Sequence, residues 1–278
     1  MQIQRSLSWC LYLVVVVVFG ARSTDALVAV SPISPPGGGG GRVANDNNNI
    51  NSNDNNVMQS PLSLDFEELT ESLQRGIGRS RAVWECYRMG IDPLWYYDPN
   101  IPESQLDASV HSLLMNDNQQ PPNPRKMWSR EDLRGLFRSR RKTQGLGKHA
   151  LESLQQIASP HLDAHDSAAI EESIATISHI SVASDGTTKL LVKLLQDGLQ
   201  VETVIIPWTE TGRSTLCVSS QVGCAQACRF CATGRMGRLR NLSSGEICAQ
   251  VFLARKVCRV LDLHPVDGVV FMGMGEPA

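Results

Sequence analysis

The fold is decided at residues 217–231, which read Cys217-Val-Ser-Ser-Gln-Val-Gly-Cys224-Ala-Gln-Ala-Cys228-Arg-Phe-Cys231. The core of this run is C-x3-C-x2-C, so three thiolates from one short loop can hold three corners of a cubic iron–sulfur cluster. A closed structural site takes four ligands, whereas three ligands leave one iron open to a substrate. The alternative is a zinc knuckle with a distant fourth ligand, but no second C-x2-C pair or nearby histidine completes such a site.

The segments on either side of this loop have the pattern of a βαβ unit. A strand at residues 214–219 leads into the loop, and Ser243 with Glu246 three residues later is a capping box that opens a helix. An apolar run of strand length, Asp267–Met272, follows the helix and leads directly into Gly273-Met274-Gly275-Glu276-Pro277. This order predicts a parallel sheet or barrel. Glycines after the last strand would let the backbone approach a ligand closely.

Upstream of the cysteine loop, the period of the sequence predicts a β-meander. Alternating segments cover residues 177–183, 189–195 and 199–206. The dipeptides Asp185-Gly186 and Asp197-Gly198 lie between them, and Asp-Gly is a strong hairpin-turn signal.

A helical region is expected before the meander. Leu64, Phe66, Leu69 and Leu73 recur at helical spacing. Ser129 is placed to cap a second helix, whose apolar face would be Leu133, Leu136 and Phe137. A third helical stretch covers residues 150–157. The preceding residues 27–60 are low in complexity and rich in Pro, Gly and Asn, so they cannot bury a core and are expected to form a disordered linker.

Residues 1–26 have the pattern of a signal or targeting segment. Arg5 precedes the apolar run Trp9–Phe19, which is too short to span a bilayer comfortably. Secretion would expose an oxygen-sensitive cluster to an oxidising space. The acid-poor stretch that follows the targeting segment is typical of a two-part plastid address. We therefore expect an organellar protein, with a plastid favoured over a mitochondrion. The alternatives are a misassigned start, which would leave the protein cytoplasmic, and true secretion.

The cysteines are distributed as in a metal protein. Four of the eight fall within Cys217–Cys231, whereas a disulfide framework would spread pairs along a short chain. Cys248 and Cys258 lie in the predicted helix and are expected to be packing residues.

The formal net charge of −2 does not itself indicate a nucleic-acid partner, so that argument depends on local patches. Residues 125–148 hold nine Lys or Arg against two acids, which fits either phosphate contact or a solvated helix face. Around the cysteine loop, four further arginines would place positive charge at its mouth: Arg229, Arg235, Arg238 and Arg240.

Together, the runs at Cys217–Cys231 and Gly273–Pro277, with Asn241-Leu242, resemble the radical S-adenosylmethionine (SAM) adenine-C2 RNA methyltransferases of the RlmN/Cfr family. The resemblance extends back through the meander and is looser in the helical region. It implies an α/β fold in which a helical accessory domain (61–165) and a β-meander lead into a partial radical SAM barrel. The meander and barrel start would occupy residues 176–278. Since relatives continue further, we expect an N-terminal fragment, truncated after about two barrel strands, that cannot turn over.

The resemblance also assigns roles to residues and cofactors. Cys224, Cys228 and Cys231 would hold a 4Fe–4S cluster, shielded by Phe230, and Gly273, Met274, Gly275, Glu276 and Pro277 would bind SAM. Cys217 would be the resolving cysteine that releases product, and Glu202 the carboxylate that transfers the C2 proton. From the residues alone, Cys217 could be a small core residue. Glu202 shares a face with Val204 and Ile206, so it is either a partly buried carboxylate or an edge-strand charge.

The activity implied is methylation of adenine C2 in 23S-type ribosomal RNA through a methyl-cysteine and radical mechanism, with transfer RNA as a second candidate substrate. The partners implied are that RNA and a reducing electron donor such as flavodoxin or ferredoxin. We expect a monomer with no stable membrane association after processing. Two other functions stay open: a radical SAM enzyme with different chemistry, and a non-catalytic iron–sulfur protein that binds RNA.

Overall fold

The computed structural model describes residues 60–73, 77–116, 128–137, 146–158 and 170–276. All of these residues belong to one compact unit. The expected targeting segment and nearly all of the expected linker lie outside the described residues. Within them, every helix is too short or too polar to cross a membrane.

Helices precede the sheet, as the spacing of apolar residues predicts. The first begins at a capping box in which Asp65 accepts from the N–H of Glu68 and Glu68 accepts from the N–H of Asp65. Ser129 and Asp132 make the equivalent pair of bonds at the predicted second helix. The bounds are α1 (Phe66–Ser72), α2 (Ile77–Arg88), α3 (Pro93–Tyr97), α4 (Ala108–Asn116), α5 (Arg130–Phe137) and α6 (Lys148–Ala158).

The main sheet combines the predicted meander with one parallel strand pair. Its strands are β1 (Ala175–Val182), β2 (Thr188–Leu194), β3 (Gln200–Trp208), β4 (Arg213–Cys217) and β7 (Val266–Val270), in the order β1-β2-β3-β4-β7. The first three pairings are antiparallel and β4–β7 is parallel. Both predicted turns are present, with positive φ of 84° at Gly186 and 72° at Gly198.

A separate hairpin of β5 (Gln221–Gly223) and β6 (Arg238–Asn241) follows β4 and encloses the cysteine loop. The chain then enters α7 (Ser244–Val260), the crossover helix between β4 and β7. Its predicted capping box is confirmed, since Ser243 and Glu246 each accept from the other's backbone N–H. Sequence analysis did not predict the hairpin, because strands of three and four residues are too short to establish a period.

α7 packs on one face of the sheet, and in the described part of the chain the opposite face of β3 and β4 is less buried. Buried side chains of β3 and β4, such as Val201, Ile205 and Leu216, share a core cluster with α7. The alternate residues are only partly buried and point to the opposite side, which we call the open face. Cys217, Glu202 and Val204 belong to the open face.

The described chain is therefore a mixed α/β structure, which confirms the predicted class. The helices and the sheet share one hydrophobic core that contains, for example, Leu69, Val83, Leu190 and Leu216. The division into domains at 61–165 and 176–278 stays a prediction from the sequence.

Candidate active site

The residues singled out by sequence meet at the carboxyl ends of the parallel strands β4 and β7. Cys217 is the last residue of β4 and pairs with Val270, the last residue of β7. The cysteine loop follows the first strand, and the Gly273–Glu276 segment follows the second. Open α/β sheets bind ligands at this edge, because loops from neighbouring strands converge there.

The two loops are joined by hydrogen bonds that continue beyond the last strand residues. The N–H of Val218 donates to the carbonyl of Val270 at 2.9 Å, and the N–H of Gly273 donates to the carbonyl of Val218 at 3.0 Å. The carbonyl of Met274 then accepts from the N–H groups of Ser220 and Gln221 at 2.9 and 3.1 Å. The Gly273–Glu276 segment is therefore held in place by its neighbour over its whole described length.

Glycine is required in this segment for two separate reasons. A Cβ on Gly273 would lie 2.7 Å from the carbonyl carbon and oxygen of Val218, which is closer than packing allows. Gly275 has a φ of +98°, and a Cβ there would meet the side chain of Gln221. The glycines expected to approach a ligand thus also allow close contact with the loop after β4. Pro277, the last residue of the expected SAM motif, lies outside the described residues.

The three candidate cluster ligands lie in the loop between β5 and β6, and each is partly exposed. Cys224 N–H donates to Gly237 O, and Cys231 N–H donates to Cys228 O. Hydrogen bonding from the backbone N–H of Gly234 lowers the pKa of Cys231, with a further contribution from Thr233. A lowered pKa favours the thiolate, which is the form that binds iron.

Among the described residues, no group of three His, Cys, Asp or Glu side chains is placed to hold a metal ion. The donor set fits a cluster in type, since it consists of three partly exposed thiols, one with a stabilised thiolate. Phe230 is 93% exposed, and its expected role as a shield of the cluster stays a prediction.

Cys217 and Glu202 lie near each other on the open face. Cys217 pairs with Val204, so Glu202 is its diagonal neighbour on β3, at about 7–8 Å in sheet geometry. Burial raises the pKa of the Cys217 thiol. Glu202 is half exposed, and its carboxylate lies 3.2 Å from the ammonium group of Lys189. β3 lies between β2 and β4, but its register with β4 ends at Val204, so the pairing partner of Glu202 is Leu191 on β2.

The arginines around the cysteine loop divide into two groups. Arg229, Arg235 and Arg238 are exposed. Arg240 is instead bound in the interior by Glu246, with a second ion pair to Asp197 at 2.6 Å. The expectation that Arg240 contributes free positive charge at the mouth of the loop is therefore wrong. Six of the nine Lys and Arg residues in the run at 125–148, including those at 138–142, lie outside the described residues.

Sequence analysis missed the polar residues that support the site, chiefly Ser219, Gln221 and Gln250. Gln250 is fully buried on α7, between the apolar residues Ile247 and Val251. A polar residue inside the apolar stripe of a helix was the signal that could have identified it.

A groove of about 520 Å³ is found elsewhere, near Arg88, Trp128 and the end of α7, and the predicted site residues do not line it.

Comparisons with known proteins agree with the family recognised from the sequence. The chain is 46% identical over 136 residues to a probable dual-specificity RNA methyltransferase RlmN from Flavobacterium johnsoniae, covering 47% of this chain and 36% of that protein. It is 51% identical over 98 residues to the dual-specificity RNA methyltransferase RlmN from Oleidesulfovibrio alaskensis, covering 35% and 27%. It is 54% identical over 99 residues to the probable counterpart from Parasynechococcus marenigrum, covering 36% and 27%.

A crystal structure of a radical SAM methyltransferase from Sphaerobacter thermophilus is 30% identical, with a TM-score of 0.39 over 63% of this chain and 47% of that one. No family model matches the chain. The matched part of the chain is similar to proteins named as RNA methyltransferases. All three of these relatives carry the name RlmN in full or as a probable assignment, which confirms the resemblance recognised from the sequence. The matched part spans between about a quarter and a third of the length of these relatives.

Proposed function

We propose that the protein is a radical SAM methyltransferase that methylates C2 of adenine in 23S-type ribosomal RNA, with transfer RNA as a second candidate substrate. One observation carries this proposal. The three-cysteine hairpin, Cys217 and the Gly273–Glu276 segment all lie at the carboxyl ends of the parallel pair β4–β7. The RlmN-like relatives support the same reaction class.

Each part of this arrangement has a proposed task. Cys224, Cys228 and Cys231 would hold a 4Fe–4S cluster, and the main chain of Gly273–Glu276 would hold the methionine end of SAM. Together these groups would supply radical chemistry, which adenine C2 requires because that carbon is too electron-poor to attack a methyl group as a nucleophile.

Glu202 and Cys217 would act on the adenine from the open face. Glu202 would take up the proton that leaves C2, and Cys217 would be the thiol that releases the product. Their diagonal placement on neighbouring strands allows one planar base to lie against both side chains. The exposed Arg229, Arg235 and Arg238 would contact phosphates beside that base. An adenine in a loop can reach such a site, whereas a stacked base cannot.

The proposal extends to the surroundings of the reaction. A reducing donor such as flavodoxin or ferredoxin would serve the cluster, and the protein would work as a monomer in an organelle, with a plastid favoured. We also propose that β4, α7 and β7 form the first βα unit of a partial barrel, in which the open face would line the interior.

Anaerobic reconstitution with iron and sulfide tests the ligand assignment. The wild-type protein should assemble one 4Fe–4S cluster, and alanine in place of Cys224, Cys228 or Cys231 should abolish it. Cys258→Ala is the matched control, since Cys258 is buried at the far end of α7. Wild-type iron content in all three loop variants would refute the assignment. Reduced wild-type protein should also cleave SAM, and a version of the chain that spans the full length of its relatives should form 2-methyladenosine in added ribosomal RNA, as measured by mass spectrometry.

A further inference from the structure

Gln250 lies on an apolar face of α7, yet its side chain makes several hydrogen bonds. Its side chain is fully buried. Its Oε1 accepts from Thr203 Oγ1 at 2.7 Å and from Ser219 N–H at 2.8 Å. Its Nε2 donates to Ser219 O at 3.0 Å. The amide of one side chain thus pairs with both backbone groups of Ser219, as a residue of a neighbouring strand would do.

This pairing occurs where β4 separates from β3. The strands remain paired as far as Val204 and Cys217. At the next same-facing position, Ser219 contacts β3 through its side chain, because its hydroxyl donates to Glu202 O at 2.6 Å. The backbone of Ser219 is then free to bond with Gln250 on α7.

The same hydroxyl reaches the second loop of the site. Ser219 Oγ accepts from Met274 N–H at 2.9 Å, in the middle of the Gly273–Glu276 segment. Two residues later, Gln221 Oε1 accepts from Glu276 N–H at 3.3 Å. Ser219 is therefore bonded to three elements at once: α7, the strand that carries Glu202, and the segment expected to hold SAM.

We propose that Gln250 and Ser219 are positioning residues for SAM binding, which fix the Gly273–Glu276 segment against β3 and the cysteine hairpin. The inference rests on the proposed function and adds two fully buried residues to it. The physical reason is that a buried donor or acceptor without its partner is costly. Loss of the Gln250 amide would leave Ser219 N–H and Ser219 O unpaired, so the loop would shift to find new partners.

The test measures the dissociation constant for SAM by equilibrium dialysis with the anaerobically reconstituted protein. Gln250→Met keeps the length of the side chain but removes its amide, and Ser219→Ala removes one hydroxyl. Each variant should bind SAM roughly tenfold more weakly, a fold-change of the size that a single buried hydrogen bond is worth. Iron content should match that of the wild type, since neither residue belongs to the cysteine loop. The spectral change of the reduced cluster on SAM addition should need correspondingly higher SAM concentrations.

Val251→Ala is the matched control, because Val251 is the adjacent residue and is equally buried in the core. It should lower the thermal midpoint and leave SAM affinity unchanged. Wild-type affinity in both Gln250→Met and Ser219→Ala would overturn the inference, as would an equal loss of affinity in Val251→Ala. If Gln250→Met does not fold, Ser219→Ala decides. A wild-type protein that assembles no cluster or binds no SAM would instead overturn the proposed function, and the inference with it.

Discussion

Replacement of Arg240 by methionine should destabilise the protein, because the buried carboxylate of Glu246 would lose its ion-pair partner. The guanidinium of Arg240 binds both oxygens of Glu246, at 2.8 and 2.7 Å, and its Nε binds Asp197 at 2.6 Å. These contacts raise the pKa of Arg240, mainly through the hydrogen bond with Glu246. Glu246 is only 2% exposed, so without Arg240 its charge would remain in the interior with only the capping interaction of Ser243.

The size of the effect follows from the exposure of Arg240 and Glu246. Breaking a fully buried ion pair by removing one member costs about 3–5 kcal/mol. Here the side chain of Arg240 is 25% exposed, whereas that of Glu246 is 3% exposed. Water can therefore compensate part of the loss, and Glu246 keeps one backbone donor. We expect a destabilisation of about 2–3 kcal/mol, which in a protein of this size lowers the unfolding midpoint by roughly 5–10 °C.

Thermal unfolding followed by circular dichroism measures this change. Arg238→Met is the matched control, because Arg238 lies on the same strand and is exposed. It should unfold within about 1 °C of the wild type, as is usual for surface substitutions. Arg240→Met together with Glu246→Leu should recover part of the loss, since the double variant no longer buries an unpaired charge. An Arg240→Met midpoint equal to that of the wild type would refute the reasoning.

The pH dependence of the same variant gives a second check. Hydrogen bonding from Arg240 lowers the pKa of Asp197. A carboxyl group whose folded pKa lies below its unfolded value of about 3.9 stabilises the protein above that value. This contribution is lost as the pH falls through the folded pKa. The part of the difference between wild type and Arg240→Met that comes from Asp197 should therefore shrink below about pH 4.

Three further predictions concern the cysteines and the N-terminus. Burial raises the pKa of the Cys217 thiol above its ordinary 9.0. The rate of Cys217 alkylation, measured by mass spectrometry, should therefore rise about tenfold per pH unit between pH 7 and 9. A rate that does not change with pH would contradict this. Because the N–H of Gly234 lowers the pKa of Cys231, Cys231 should be alkylated before Cys217 in metal-free protein at pH 7. The reverse order would contradict the lowered pKa of Cys231. Residues 1–60 fused to a fluorescent protein should direct it to an organelle, and a uniform cytosolic signal would show the N-terminal interpretation to be wrong.

The features that were predictable from sequence are those with local causes. The Asp-Gly turns, the capping box at Ser243 and the strand before Gly273 each depend on residues within one turn or one strand. Their bounds agree closely with the structure. The parallel pairing of β4 and β7 followed from their separation by a helix, because a crossover connection permits only a few topologies.

The features that sequence did not predict depend on contacts between distant segments. Arg240 has the same local surroundings as Arg238, yet only Arg240 is bound, because the hairpin places it beside the start of α7 and the β2–β3 turn. The partner of an arginine depends on tertiary register, which the local pattern does not contain. For the same reason, the alternation around Glu202 predicted which side of the sheet its side chain lies on. It did not predict whether the strand was an inner or an edge strand.

The helix α7 explains why the site depends on such distant contacts. Most of its residues are buried, since it packs on the sheet and also contacts the helical region. Apolar packing alone would tolerate small rotations and shifts of such a helix, because its surface is apolar on most sides. Polar side chains spaced along the helix remove this freedom, because each one has a specific partner: Glu246 with Arg240, Gln250 with Ser219, Lys256 with Ser109, and Arg259 with Asp107. The first two partners belong to the cysteine hairpin and the loop after β4, so the position fixed for α7 also fixes the candidate site.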